Sequence, residues 1–97
     1  MTQPRTLRNF IGGEYVDATG DASIDLVNPA TGQVVAHAPV STQADVDAAY
    51  ASAEAGFAEW SEATPGERQS ALLKFADALE ARADDLIRLE GENTGKP

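Results

Sequence analysis

The sequence predicts an α/β segment: a β-hairpin and two short strands, followed by two helices. Three observations carry that reading. Every β-prone run lies within the first 40 residues. Beyond them, apolar residues recur at steps of three and four, the period of a helix face. Thr42 and Thr64 each have an acidic residue three positions later, the mark of an N-terminal capping box.

Composition limits what such a segment does alone. Alanine supplies 18 of the 41 hydrophobic residues, and Leu, Ile, Val and Phe together reach 19 of 97. With a net charge of −9, that is near the limit below which a chain buries too little apolar surface to fold. The helical periodicity is too regular for disorder. The expectation is therefore a folded segment that borrows its core from elsewhere.

The acidic balance argues against nucleic acid or an anionic membrane as partner. No run of ~18 apolar residues could span a bilayer. The N-terminus lacks the apolar stretch of a signal peptide. There are no cysteines. This fits a cytoplasmic protein and excludes a thiol nucleophile, a disulfide or a thiolate metal site within these residues.

Taken in order, residues 1–8 read as a loose leader. Residues 10–16 read as a hairpin, because Gly12-Gly13 supplies a two-residue turn able to take positive φ at both positions. A strand is expected at 24–27, where Ile24 and Leu26 alternate with Asp25 and imply one buried face. Asn28-Pro29-Ala30-Thr31-Gly32 is a turn, and the next strand covers 33–38, with Pro39 at its end. The first helix is expected at 43–59. Its stripe is Val46, Ala49, Tyr50, Ala53, Phe57 and Trp60. Gly56 weakens it by about 1 kcal/mol relative to alanine, so fraying is expected after Phe57.

The second helix is expected at 65–90, about seven turns. Thr64 caps it, Pro65 takes the first position, where a missing N–H has no consequence, and Glu67 closes the box. Leu72, Phe75, Ala76, Leu79, Ala83, Leu86 and Ile87 form its apolar face. Asp84 and Arg88 form an i,i+4 pair on the other, and Gly91 is the expected stop. A helix of that length requires a large surface to lie on.

None of the remaining candidates reaches the standard of a catalytic site. Gly91 to Pro97 lacks the glycine spacing and the Ser or Thr of a phosphate loop, and it follows a helix rather than a strand. Gly12-Gly13 is a hairpin turn and not a dinucleotide fingerprint. His37, the single histidine, has no cysteine to activate and no ligand spacing around it. Asp84 and Asp85 are adjacent on a helix and do not face one another. Tyr50, Phe57 and Trp60 belong to a packing stripe, and Asn93 reads first as a helix cap.

Five stretches nevertheless stand in a recognisable order: FIGGEYVD, LVNPATGQVVA, DVDAAYASAEAGFAEW, PGERQSALLKFADALEARADDL and LEGENTGKP. Together they resemble the N-terminal segment of NAD(P)-dependent aldehyde dehydrogenases, most nearly the γ-aminobutyraldehyde and betaine-aldehyde branch. The resemblance runs from Phe10 to Pro97. It implies that the chain is the N-terminal part of a coenzyme-binding domain, with its long helix packed on a Rossmann-like fold. It implies an enzyme that oxidises an aldehyde to a carboxylate with NAD or NADP. The family's nucleophilic cysteine, glutamate base and nucleotide contacts would all lie beyond Pro97, so these 97 residues alone would be inactive.

The resemblance further implies a cytoplasmic homodimer or homotetramer. The partners of this segment would be the remainder of the same polypeptide and a small aldehyde substrate. It also implies a structural monovalent cation, K⁺ or Na⁺, held by the carbonyls of Leu26 and Val27 and the side chain of Asn93. The family usually has aspartate where Asn93 stands, so the charge available to a cation is reduced. The alternative expectation is a free-standing, non-catalytic helical interaction module, or a truncated remnant that docks through the Leu72–Ile87 face.

Overall fold

The computed structural model describes residues 3–97. Five short strands precede three helices: β1 (Arg5–Thr6), β2 (Asn9–Ile11), β3 (Glu14–Val16), β4 (Ser23–Val27), β5 (Val34–Pro39), α1 (Gln43–Trp60), α2 (Pro65–Ala81) and α3 (Ala83–Thr94).

The hairpin forms as its turn residues dictate. Gly12 and Gly13 have φ of 64° and 82°, the combination a tight primed turn requires. Phe10 and Tyr15 face each other across it, with ring centroids 5.1 Å apart in an edge-to-face arrangement. The hairpin rests beside α1: Asn9 Nδ2 donates to Ser41 Oγ at 3.0 Å, just ahead of the helix.

The other three strands make a sheet in the order β1-β5-β4. β4 and β5 are antiparallel, with Asp25 opposite His37 and Leu26 opposite Ala36. The register shifts between Leu26 and Val27, since Val27 lies opposite Val34. Their connection is the Asn-Pro turn. Asn28 Oδ1 accepts from the Ala30 N–H, the Asn28 carbonyl accepts from the Gly32 N–H at 2.8 Å, and Gly32 takes φ 76°. β1 was not foreseen. Within the expected leader, Arg5 and Thr6 pair in parallel with Ala36 and His37, and the Leu7 N–H donates to the His37 carbonyl. Residues 1–2 of that leader lie outside the described residues.

Both capping boxes are present, at Thr42–Asp45 and Thr64–Glu67. α1 continues to Trp60 rather than fraying after Phe57. The expected helix at 65–90 is corrected in two ways. It breaks at Arg82 (φ −113°, ψ 21°), whose N–H turns to the Leu79 carbonyl three residues back. Neither proline nor glycine stands there, and the apolar period passes through the break unchanged. It also runs on to Thr94, four residues beyond 90, and stops at Gly95 (φ 75°) instead of Gly91. Both glycines could end a helix. Gly95 does so beside the Asn-Pro turn, where a Cβ added to it would lie 2.9 Å from Pro29 Cγ.

Ala36, 1% exposed, is the single buried hydrophobic residue among those described. Tyr50 (75%), Phe75 (63%) and Ile87 (70%) are open to solvent. β4 buries no face: Ile24 and Val27 are exposed. The radius of gyration is 17.0 Å, against about 13 Å for a compact chain of this length. The elements are regular, but their apolar faces find no partner among these residues.

Candidate functional site

The chain concentrates its long-range polar contacts at two places. The first is Asp45, the one buried charged residue among those described. Its carboxylate accepts the Thr42 N–H at 2.8 Å, closing the capping box, and the Thr19 N–H at 3.1 Å from the loop before β4. The hydroxyls of Thr19 and Thr42 bond to each other beside it. The Thr42 backbone bond, reinforced by Thr19, holds the carboxyl below the usual aspartate range despite its burial. This is a structural staple, since nothing reactive adjoins it.

The second is a cleft where α3 meets the Asn-Pro turn. It is lined by Arg5 from β1, Asn28 and Thr31 from the turn, Val34 from β5, and Arg88 and Glu92 from α3. The Glu92 carboxylate receives Arg5 Nη1 at 3.3 Å and Arg88 Nη1 at 3.1 Å. Arg88 thus turns to Glu92 and not to Asp84, the partner expected from helix spacing. Glu92 reaches one methylene further than an aspartate, and its partial burial strengthens the attraction.

The residues expected to hold a cation are not among those lining this cleft. Leu26 is half-buried, Val27 is exposed at the register shift, and Asn93 is exposed on the last turn of α3. The carboxylate of the cleft, Glu92, is already neutralised by two guanidinium groups. Among the described residues, no three His, Asp or Glu side chains gather as metal ligands.

His37 Nδ1 lies 2.8 Å from Asp25 Oδ1 across the β4–β5 pair, at the surface. Without a nucleophile nearby, the pair is a cross-strand contact. The positive-φ glycines sit in the hairpin, the Asn-Pro turn and the helix stop. None of them opens a helix after a strand, so these glycines form no dinucleotide phosphate cradle among the described residues.

A sequence model of the aldehyde dehydrogenase family matches residues 15–97. The chain belongs to the aldehyde dehydrogenase family. Its fold agrees. A solved structure from Sinorhizobium meliloti 1021, assigned as a methylmalonate-semialdehyde dehydrogenase and complexed with NAD, superposes with a TM-score of 0.89 at 28% identity. That match covers 95% of this chain and 19% of the other. The chain therefore spans about one fifth of that aldehyde dehydrogenase, and its hairpin, mixed sheet and helices correspond to one aldehyde dehydrogenase segment. No helix among the described residues is long and apolar enough to cross a membrane.

The Glu92 cluster was missed at the level of sequence. The Arg88–Glu92 spacing of four was visible, but Arg5 lies 87 positions from Glu92, and no local signal connects them.

Proposed function

We propose that this segment is the scaffold of an NAD(P)-dependent enzyme that oxidises an aldehyde to a carboxylate. It would form part of the coenzyme-binding domain and supply no catalytic residue. The observation that carries the reading is the family match over residues 15–97 together with the 0.89 superposition. The absence of cysteine from the 97 residues assigns a covalent thiol step, if the enzyme uses one, to other parts of the polypeptide.

The exposed apolar faces support the same division of labour. Phe75, Leu79 and Ile87 on α2 and α3, with Tyr50 and Phe57 on α1, are large side chains without internal partners. The remainder of the polypeptide, built on a Rossmann-like sheet, is the proposed cover, and the parent is proposed to assemble as a dimer or tetramer. An amino-aldehyde such as γ-aminobutyraldehyde or betaine aldehyde is the proposed substrate. The NAD-bound relative makes a semialdehyde the competing choice and NAD the favoured coenzyme.

The test is coenzyme reduction by the full-length protein. γ-Aminobutyraldehyde, betaine aldehyde and methylmalonate semialdehyde would each be supplied with NAD⁺ and with NADP⁺. Turnover of an amino-aldehyde supports the full reading. Turnover of the semialdehyde alone keeps the enzyme and replaces its substrate. Inactivity on a broad aldehyde panel removes the enzymatic reading.

A further inference from the structure

We infer that the exposed face of α1 is seated, in the full-length protein, on an arginine- and lysine-bearing surface of the remainder of the same polypeptide. The first observation is how charge is distributed. Between Arg8 and Arg68 the chain carries ten acidic residues and no lysine or arginine. α1 lies wholly within that stretch. The ion pairs formed among the described residues engage Asp17, Asp25, Asp85 and Glu92, and none engages α1. Asp47 accepts from the neutral Gln43 amide at 2.8 Å, which leaves its charge uncompensated.

The face combines that charge with large apolar groups. Asp47, Tyr50, Glu54 and Phe57 follow one another at steps of three and four, so they form one ridge along the helix. All four are exposed. An aromatic ring flanked by two carboxylates suits a guanidinium or an ammonium, which lies over the ring while its N–H groups reach the carboxylates. A second copy of α1 brings the same uncompensated charge and is repelled. An apolar surface without cations would strip water from the carboxylates and leave them unpaired. The occupant is therefore basic as well as apolar. The segment spans about one fifth of the aldehyde dehydrogenase it superposes on, so a polypeptide of that length has the surface to supply it. The inference rests on the proposal that the remainder of the polypeptide covers these helices.

The experiment compares thermal melts of the full-length protein and its Glu54→Lys variant, with the mass in solution measured in parallel. Residue 54 is in mid-helix and has no charged residue three or four positions away. Lysine also matches glutamate in helix propensity. On a solvated face, lysine relieves repulsion within an acidic stretch, and the melting temperature stays the same or rises. On a basic surface, it sets like charges together. The expected result is a melting temperature about 2 °C lower at unchanged mass, with the loss shrinking as salt is added. An equal or higher melting temperature would overturn the inference, as would a loss that salt leaves untouched. A loss accompanied by a smaller mass would assign the face to a second copy and overturn it too. If the lysine variant does not fold, Glu54→Gln decides by the same readouts, with a smaller, salt-sensitive loss expected. Coenzyme reduction by the wild type tests the enzymatic reading separately, so the two can fail independently.

Discussion

Asp45 accepts the backbone N–H of Thr19 at 3.1 Å across 26 positions of sequence, while the same carboxylate caps its own helix through the Thr42 N–H. One side chain thereby fixes both the start of α1 and the loop leading into β4. The capping half of this arrangement is a local pattern. The Thr19 half arises only once β4, β5 and α1 are assembled.

Asp45→Asn should lower the melting temperature of the full-length protein at neutral pH, because an amide offers one acceptor oxygen where the carboxylate uses two. The pH dependence has a definite sign. Hydrogen bonding depresses the folded-state pKa of Asp45, so its contribution is complete above the ordinary aspartate value of about 3.9 and is lost as pH falls through the depressed value. The gap in melting temperature between wild type and variant should close in that acid range. A gap that stays constant from neutral to acid pH would show that the charge is irrelevant.

Gly95→Ala should destabilise the protein through two separable effects. A residue with a side chain at φ 75° pays about 1–2 kcal/mol in the left-handed region. Its Cβ would also lie 2.9 Å from Pro29 Cγ. Combining it with Pro29→Ala should recover the steric part and leave the conformational part. Denaturant melts of the two single variants and the double variant measure the coupling.

Leu79→Asp should make the full-length protein unfold or aggregate, since it puts an unpaired charge on the face proposed to be covered. Asp84→Ala, on the opposite face, should change stability by less than about 1 kcal/mol. Soluble yield and melting temperature distinguish them. Equal tolerance of the two would mean that the Leu72–Ile87 face stays in solvent.

The 97-residue segment expressed alone should melt without cooperativity and bind a hydrophobic dye. Ala36 is its only buried apolar residue among those described, and its three helices make no extended contact with one another. A sharp calorimetric transition with dispersed amide resonances would show that the segment needs no external core.

Features whose decisive partners lie within a few residues were legible in the chain. Gly12-Gly13 specifies its turn, and Asn28 bonds to Ala30 and Gly32. Thr42 and Thr64 each meet an acidic side chain three positions on. These contacts were predictable because both partners travel together in sequence, and their geometry follows from backbone preference. The shortage of large apolar residues likewise foretold the exposed helix faces.

Other features required the folded chain. β1 was read as a loose leader because its partner, β5, lies about thirty residues away, and two residues carry no strand period of their own. The break at Arg82 lacks a breaking residue. The pairing of Arg5 with Glu92 joins residues 87 positions apart, so no local pattern announces it. Sequence alone determined where the hairpin, the Asn-Pro turn and the first two helices begin, because hydrogen bonds between near neighbours suffice for that. Only tertiary structure decided among local states of nearly equal energy. Gly95, beside Pro29, rather than Gly91 ended the last helix, and Arg88 paired with Glu92, where Arg5 also binds, rather than with Asp84.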